Sequence, residues 1–404
     1  MNLIGFVQAL LINISLIAGL NDPQLKVSPA GFLKALLENN ALTQVNNIDA
    51  IRAGQEQDVK VRYQQRGTED EVTDRDDCDT SITPEWKEAN IGHPLYSKIG
   101  IFISDEQMRK YQLEATQTLS AGTPNAPLMR ALYETILVHT NALIQKIDRN
   151  LVSAQSIKWG ANAAYGLSKA AQTITLSEKA KMTDGFVKVI TDAQANEVYD
   201  QLIVVGNGLV NAFDIYNRYK TGVDGQGFGS LAFNTYNDPK TAGTWGLNHF
   251  GVFAKGNVGF VDFNKNVGSY AGERGGSLFF TLPVPAVLAN GELTSLVFDA
   301  QLKYKDCPVY NEQGKKIADR GWVLILSKTY GLFNLPDDAF RSTDPLYGVN
   351  GSFHYIAQAE GETAPAASSP AASTSAASEA SSASSAASSP AGGEGGQGGE
   401  GTNG

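Results

Sequence analysis

Hydrophobic residues recur at helical spacing in two segments of the chain. The first is the apolar stripe Phe32–Leu37, where Ser28 can cap a helix and Pro29 suits its first turn. The second runs from Leu128 to about Ala154, with large apolar side chains on one face and charged side chains elsewhere. At ~1.5 Å per residue it predicts a helix of roughly 40 Å, long enough to act as the spine of a domain.

Two other segments are patterned as strands. Asp58–Arg66 alternates apolar residues with charged and amide residues, which predicts a half-exposed strand, and Tyr96–Ile103 is a second, more apolar strand. The chain between them carries seven carboxylates from Glu69 to Asp79. We expect the two strands to pair as a long hairpin with an acidic tip. Because a two-stranded ribbon is only marginally stable in water, the hairpin needs a surface to lie against.

Shorter patterns predict the remaining elements. Helices are expected at Asp105–Leu119 and at Thr191–Glu197, the second with Asp192 as its cap. Strands are expected at Leu202–Val205, twice within Phe250–Phe263, at Ser277–Val284, at Leu293–Tyr304 and at Gly321–Thr329. The last two are predicted to pair, and Pro336 and Asp337 are expected to close the folded part.

The two ends of the chain differ from the rest. Residues 1–20 carry no charged side chain, and as a helix they would reach ~30 Å, the thickness of a bilayer core. No Lys or Arg precedes the apolar run and Gln8 and Asn13 interrupt it, so a packing arm or core helix is favoured, with a signal segment or anchor as the alternative. Residues 359–404 contain no large apolar side chain and predict a disordered tail rich in Ala, Ser and Gly.

The amino-acid composition argues against several classes of function. The chain has 404 residues, of which 42% are hydrophobic, and its 32 basic and 42 acidic residues give a formal charge of −10. This balance argues against a protein whose main task is binding phosphates, since that binding depends on Lys and Arg. Two cysteines, Cys78 and Cys307, cannot build a disulfide framework or a four-ligand zinc site, and four histidines leave little material for a metal centre.

Motifs that would carry enzyme chemistry are incomplete. Gly206–Asn211 follows a strand but lacks the third glycine of a dinucleotide loop, and Gly222–Gly229 lacks the Gly-Lys-Ser/Thr that closes a phosphate loop. The acidic run Glu69–Asp79 lacks the glycine and the closing glutamate of a calcium loop. We therefore predict no enzyme, no cofactor and no metal, and keep an unrecognised site at one of the glycine loops as an alternative.

The order of these elements resembles the major capsid proteins of tailed bacteriophages, the Hong Kong 97-type shell fold. The segment Gly251–Phe263 (GVFAKGNVGFVDF) resembles strands of such proteins in the kinds of residue that it contains. The resemblance implies an α+β (mixed α/β) fold with an N-terminal arm, an extended β-hairpin loop, a long spine helix, an axial domain and a disordered C-terminal tail. Its parts would be the arm at 1–56, the hairpin loop at 57–103, the peripheral domain with the spine helix at 104–183, the axial domain at 184–290, the return strands at 291–358 and the tail at 359–404.

The resemblance implies a structural protein that forms pentamers and hexamers of itself and assembles into an icosahedral head around DNA. Portal or scaffold proteins would be further partners, DNA would be enclosed without sequence-specific binding, no membrane would be involved, and the subunit would assemble in the host cytoplasm and reside in the virion. The alternative is a secreted or cell-surface structural protein with residues 1–20 as a signal and the tail as a stalk. The candidate subunit-contact residues are Val59, Val61, Asp74, Asp76, Asp77, Asp79, Ile99 and Ile101.

Overall fold

The computed structural model describes most of the chain apart from its C-terminal end. The described residues are 3–19, 26–29, 31–39, 44–64, 86–121, 127–176, 185–196, 198, 201–210, 212, 233–288, 293–306, 309–310, 313–314, 316–318, 320–336 and 351–359. The acidic run Glu69–Asp79, the glycine-rich loop Gly222–Gly229 and residues 360–404 of the predicted tail lie outside them.

The helices follow the apolar periodicity of the sequence. They are α1 (Leu3–Gly19), α2 (Gly31–Glu38), α3 (Ile48–Arg52), α4 (Asp105–Ala121), α5 (Pro127–Gln155), α6 (Phe186–Gln194) and α7 (Lys240–Thr244). The predicted spine helix is confirmed as α5, whose 29 residues extend about 44 Å. One face of α5 is buried along its whole length, and the opposite face is exposed.

The strands occupy the regions of alternating or apolar sequence. They are β1 (Gln44–Val45), β2 (Val59–Gln64), β3 (Trp86–Gly92), β4 (Leu95–Ser104), β5 (Gln172–Leu176), β6 (Leu202–Gly206), β7 (Phe233–Asn237), β8 (His249–Ala254), β9 (Val258–Phe263), β10 (Gly272–Arg274), β11 (Ser277–Val287), β12 (Leu293–Lys305), β13 (Val309–Tyr310), β14 (Lys316–Ala318), β15 (Gly321–Asn334) and β16 (Ser352–Ala359). Helices and sheets together confirm the predicted α+β class.

The central sheet has the antiparallel strand order β10-β11-β12-β15-β4. The predicted pairing of β12 with β15 is confirmed, with Asp299 opposite Ser327. Beyond that point β9 replaces β12 beside β15, and Phe263 lies opposite Thr329. Lys328 lies at this change of partner, 2% exposed; its ammonium pairs with Asp262 of β9 and donates to the Val297 carbonyl oxygen of β12 at 2.6 Å. One buried lysine therefore ties both strands to β15.

The main core lies on one side of the central sheet. A row of residues on four neighbouring strands shows this side: Leu278, Leu302, Leu324 and Ile101, all buried. Helices α1, α4 and α5 pack on these strands and share their core cluster. Phe6, Leu10 and Ile14 of α1 are buried there, so the interpretation of residues 1–20 as a packing or core helix is the one that the fold supports.

The second sheet has the strand order β5-β16-β8-β6-β7. Phe253 of β8 faces the main core, while Phe250 of β8 packs with Tyr355 of β16 in a second core under α6. The two strands predicted within Phe250–Phe263 exist, but they belong to different sheets, because β9 leaves to pair with β15. The expectation that Pro336 and Asp337 close the folded part is wrong, since β16 lies between β5 and β8 inside this sheet.

The predicted hairpin has a different second strand. β2 pairs with β3, with Val61 opposite Ala89 and Gln64 opposite Trp86. The expected partner, Tyr96–Ile103, is β4 of the central sheet and pairs with β15. The prediction is wrong because β3, with the sequence WKEANIG, carries few apolar residues and gives no strand signal, whereas the apolar residues of β4 are buried beneath the helices.

Two smaller expectations also need correction. Asp192 does not cap a helix, because α6 begins at Phe186 and the buried Asp192 carboxylate instead accepts hydrogen bonds from the hydroxyls of Tyr165 (3.0 Å) and Tyr355 (3.2 Å). Strand β11 continues through its two prolines to Val287. β10 covers only the start of β11, so the prolines lie where the outer edge needs no ladder donor.

Candidate subunit interface

The base of the hairpin β2–β3 lies beside Tyr330 and Gly331 of β15. Leu95, where β4 begins, lies opposite Tyr330, and β3 ends three residues earlier at Gly92. Ile91 of β3 fills the space beside Gly331, where a β-carbon would lie 2.8 Å from the Ile91 Cδ1 atom. The base of the hairpin is therefore fixed next to Tyr330 and Gly331.

The inner strand of the hairpin packs with residues of β9 and of the last part of β15. Val59 and Val61 of β2 are buried with Phe333 and Leu335 in a third core cluster. The same cluster contains Val261 and Phe263 of β9, which lie opposite Gly331 and Thr329 of β15.

Polar side chains hold the base of the hairpin. The Asn47 side-chain amide donates to the Glu56 carboxylate and to the Asp58 carbonyl oxygen at 2.8 Å, and the Lys60 backbone N–H donates to Asn47 Oδ1 at 3.0 Å. The hydrogen bond from Asn47, followed by that from Lys60, lowers the pKa of the Glu56 carboxyl. The carboxyl of Asp58 also has a lowered pKa, chiefly through its hydrogen bond with His93 Nδ1 at 3.2 Å. Both carboxylates therefore stay charged at neutral pH.

At its distal end the described part of the hairpin carries an exposed aromatic side chain. The Arg62 guanidinium lies 4.7 Å from the centre of the Trp86 ring, and Trp86 is 52% exposed. β3 is the edge strand of the sheet β1-β2-β3, and none of its side chains is fully buried. An exposed tryptophan on an edge strand is suited to contact another molecule.

The predicted contact residues of the strands have partners inside the chain. Val59 and Val61 are 1% and 0% exposed, so they are buried within the chain, and their contact role stays a prediction. Ile101 is 5% exposed and Ile99 is partly buried against the main core, so both face the helices. The contact role of the tip residues Asp74, Asp76, Asp77 and Asp79 stays a prediction, because they lie outside the described residues.

A buried charge cluster fixes the spine helix to α2. The carboxylate of Asp238 accepts the backbone N–H of Phe32 at 3.1 Å, and that of Asp148 on α5 accepts the N–H of Leu33 at 2.8 Å. Lys240 at the start of α7 pairs with Asp148 through its ammonium. The two carboxylates therefore satisfy free donors at the N-terminus of α2, where negative charge is favoured.

The cluster raises the pKa of Asp148 to about 6. Burial is the main cause, the nearby Asp238 carboxylate adds to it, and the hydrogen bonds from Lys240 and Leu33 oppose it. Sequence reasoning missed this cluster. A signal was nevertheless present, because Asp148 interrupts the apolar buried face of α5; its partners are 115 and 92 residues away in the chain.

Aromatic side chains connect α2 with the second sheet. Phe32 packs against Trp245 (centroids 5.9 Å apart) and Phe253 (5.3 Å), and Trp159 packs against Trp245 at 5.0 Å. The Trp245 indole N–H donates to the Val152 carbonyl oxygen of α5 at 2.8 Å. This aromatic cluster joins α2, α5 and β8.

Two histidines end the aromatic cluster. The His354 ring stacks on Trp159 with centroids 4.3 Å apart and lies against His249. Burial, followed by the neighbouring His249, lowers the pKa of His354 to about 3, and burial also lowers the pKa of His249. Both rings are therefore neutral at pH 7.

The first helix has an apolar face that the described residues leave open. Ile4, Ile12 and Leu16 lie on the side of α1 opposite its buried residues and are 57%, 43% and 41% exposed. α1 carries no charged residue. A helix that is apolar on all sides is normally buried on all sides, so this face is a second candidate contact surface.

The described residues contain no group of three or more His, Cys, Asp or Glu side chains placed to hold a metal ion. In the same part of the chain, no helix combines the length and the apolar character needed to cross a membrane.

Comparison with known proteins found similarity only to solved structures. No family model matches the chain, and no curated protein sequence matches it. A chain from Mycobacterium phage Adephagia has a TM-score of 0.39 and 12% identity, over 86% of this chain and 95% of that chain.

Two of the similar structures are capsids. A chain from the capsid structure of the cyanophage P-SCSP1u has a TM-score of 0.35 and 12% identity, over 75% of this chain and 84% of that chain. A chain from the asymmetric unit of the bacteriophage PhiM1 mature capsid has a TM-score of 0.34 and 10% identity, over 75% of this chain and 83% of that chain.

Proposed function

We propose that the chain is a structural protein, the shell subunit of a phage capsid, and that it assembles with copies of itself. The observation that carries the proposal is the hairpin β2–β3. Its inner strand is fixed in a core of the same chain, while its outer strand has no fully buried side chain and, among the described strands, pairs with β2 alone. A rigidly held strand with an unused edge is arranged for contact with another molecule.

The outer face of α1 supports the same proposal. Ile4, Ile12 and Leu16 expose apolar surface on a helix whose other face is part of the main core. Burial of such surface between subunits stabilises an assembly by ~25 cal/mol per Å². Contacts repeated between identical subunits then close into rings, here proposed as pentamers and hexamers of an icosahedral head.

The proposed partners follow from this role. Copies of the chain form the shell, and portal or scaffold proteins of the virion join it during assembly in the host cytoplasm. DNA is enclosed in the shell without sequence-specific binding, in keeping with a net charge of −10 that disfavours tight contact with phosphates. The proposed role requires no catalytic site, cofactor or metal.

Electron microscopy and analytical sedimentation of the purified full chain test the proposal. We expect rings or closed shells, and we expect Trp86→Asp to reduce their yield strongly without changing the circular dichroism of the subunit. The control is Ile157→Asp, which places the same charge at a side chain outside the hairpin that is 84% exposed. A parent chain that is folded yet monomeric at every concentration would contradict the proposal.

A further inference from the structure

Two of the four histidines of the chain meet on the face of the second sheet that lies towards the aromatic cluster. His249 begins β8, and His354 lies in β16 opposite Gly251. Because alternate residues of a strand point to opposite sides of a sheet, His249 and Gly251 share one side, and His354 points to it as well. The two rings therefore reach each other across neighbouring antiparallel strands, although 105 residues separate them in the chain.

The ring of His249 is held by the turn that precedes it. Its backbone N–H donates to the Gly246 carbonyl oxygen at 3.1 Å. Gly246 has φ of +130°, and a β-carbon there would lie 2.6 Å from Cδ2 and 2.7 Å from Nε2 of the His249 ring. The glycine therefore lets the backbone pack against this edge of the ring, and the opposite edge, which carries Nδ1, is directed at His354.

The ring of His354 is held by stacking. Trp159 covers it with centroids 4.3 Å apart and ring planes inclined by 11°. A β-carbon at Gly251 would lie 2.9 Å from Cη2 of Trp159 and 2.6 Å from Cζ of Phe253, so this glycine provides the space for both aromatic rings. The two imidazoles are thus positioned by packing before any ligand binds, as the donors of a binding site need to be.

The distance between the facing nitrogens fits coordination of one metal ion. Nδ1 of His249 and Nε2 of His354 lie 2.9 Å apart. With metal–nitrogen bonds of ~2.0–2.1 Å, two ligands at a right angle lie ~2.9 Å apart, whereas two ligands of a tetrahedral ion lie ~3.3 Å apart. Ligands at right angles are typical of tetragonal ions such as Cu²⁺ and Ni²⁺, and both ions accept imidazole. The separation of the two nitrogens therefore favours such an ion over Zn²⁺.

The histidine pair is accessible and in the protonation state that a metal needs. Both rings are half-exposed, and Leu247, two residues before His249, is 71% exposed. A histidine binds metal as neutral imidazole, and both rings are neutral at pH 7. Within the described part of the chain, burial and the His249 ring account for the lowered pKa values, without a contribution from lysine or arginine. An approaching cation is therefore not opposed by a positive side chain of that part.

We propose that His249 and His354 together bind one divalent transition-metal ion of the Ni²⁺ or Cu²⁺ type. Nδ1 of His249 and Nε2 of His354 each bond to the ion, and water fills its remaining positions. Each ring keeps its single proton on its other nitrogen, so two metal bonds replace the hydrogen bond between the rings without net release of a proton. The ion joins β8 to β16 and fastens the last described strand of the chain into the second sheet. This site does not depend on the proposed function.

Titration calorimetry of the full chain with NiCl₂ at pH 7 tests the site. We expect the parent to bind one equivalent of Ni²⁺ that His249→Gln binds at least ~10-fold more weakly, since even the residues that orient a ligand contribute that much to affinity. His354→Phe, which keeps a ring on Trp159, should show the same loss. The control, His93→Gln with His139→Gln, removes the other two histidines and should bind Ni²⁺ as the parent does. Mg²⁺ should not compete, because it prefers oxygen ligands.

Thermal unfolding and the spectrum of bound Cu²⁺ give two further measurements. Ni²⁺ should raise the melting temperature of the parent and of the control but not of the two ligand variants, because the pair exists only in the folded chain. Electron paramagnetic resonance of bound Cu²⁺ should show two imidazole nitrogens in the parent and fewer in His249→Gln. Circular dichroism checks that each variant is folded, and His249→Gln decides the outcome if His354→Phe is unfolded.

Three results would overturn the inference. The first is a parent chain that binds no Ni²⁺. The second is a folded His249→Gln variant that binds Ni²⁺ as tightly as the parent. The third is loss of binding in the control, which would place the ion at His93 or His139.

Discussion

His249 and His354, which are 105 residues apart in the sequence, hydrogen-bond to each other, with 2.9 Å between His249 Nδ1 and His354 Nε2. One nitrogen donates and the other accepts, so the bond requires that at least one ring be neutral. Trp159 covers His354 by stacking. Among the described residues, the charge that acts on the His354 ring is that of His249, and no carboxylate there stabilises an imidazolium.

Acid should therefore destabilise the fold through this pair. The folded-state pKa of His354 is about 3 and that of His249 is also lowered, while both titrate near 6.5 when unfolded. As the pH falls below 6.5 the unfolded chain binds protons that the folded chain does not. The free energy of unfolding should then fall with decreasing pH, by ~1.4 kcal/mol per pH unit for each histidine that remains neutral in the fold.

Urea unfolding of the parent and of His354→Phe between pH 7.5 and 4.5 checks this prediction. The variant should lose the contribution of His354 to the pH dependence whatever its stability at pH 7.5. The control is His139→Gln, which removes a histidine from α5 away from the pair. A parent curve and a His354→Phe curve with the same slope over this range would refute the prediction.

Lys240→Met should leave the buried Asp148 carboxylate without its cation. Asp148 is 1% exposed, and loss of the partner of a buried charge costs ~3 kcal/mol or more. The pKa of Asp148 is about 6 with Lys240 present and should rise without it. The cost should therefore be largest above pH 7 and should shrink as the pH falls and Asp148 becomes neutral, which is opposite in sign to the histidine effect.

The Lys240→Met prediction is measured as the difference in free energy of unfolding from the parent at pH 8 and at pH 5. Lys255→Met, at an exposed lysine in the turn between β8 and β9, serves as the control and should change little at either pH. A Lys240→Met cost that is equal at the two pH values would show that lost packing, and not charge, is responsible.

Gly31→Ala should be strongly destabilising. Gly31 has φ of +66°, and a methyl group there would overlap the Asp238 carboxylate that caps α2. Left-handed strain costs ~1 kcal/mol by itself, and displacement of the cap adds about as much again. Gly54→Ala is a matched control, with φ of +73° and open space around it, and should lose only the strain contribution. Equal melting temperatures for the two variants would contradict the assigned role of Asp238.

Leu167→Asn should stabilise the protein. Leu167 is a non-glycine residue with φ of +62°, directly after Gly166 with φ of +63°, and its side chain is 39% exposed. Asparagine adopts this conformation more readily than leucine, so we expect a gain of ~0.5–1 kcal/mol. Leu247→Asn, at a leucine that is 71% exposed and has no positive φ, should give no such gain. A lower melting temperature for Leu167→Asn would mean that the leucine side chain makes contacts worth more than the strain.

Much of the local structure could be predicted from the sequence, but the second strand of the hairpin could not. α5 and the pairing of β12 with β15 follow from apolar spacing and strand length. β3 was missed because its side chains are polar and half-exposed, so that its pairing with β2 depends on backbone hydrogen bonds that leave no pattern in the sequence.

The sequence by itself determined the α+β class, the spine helix, the uncharged first helix and the acidic run, because each depends on neighbours a few residues away or on composition. The tertiary structure alone decided that β4 belongs beside β15, that β16 enters the second sheet, and that Asp148 meets Lys240. Such contacts join residues about a hundred or more positions apart. They are selected by which apolar faces can be buried together and which buried charges find a partner, and no local pattern records that choice.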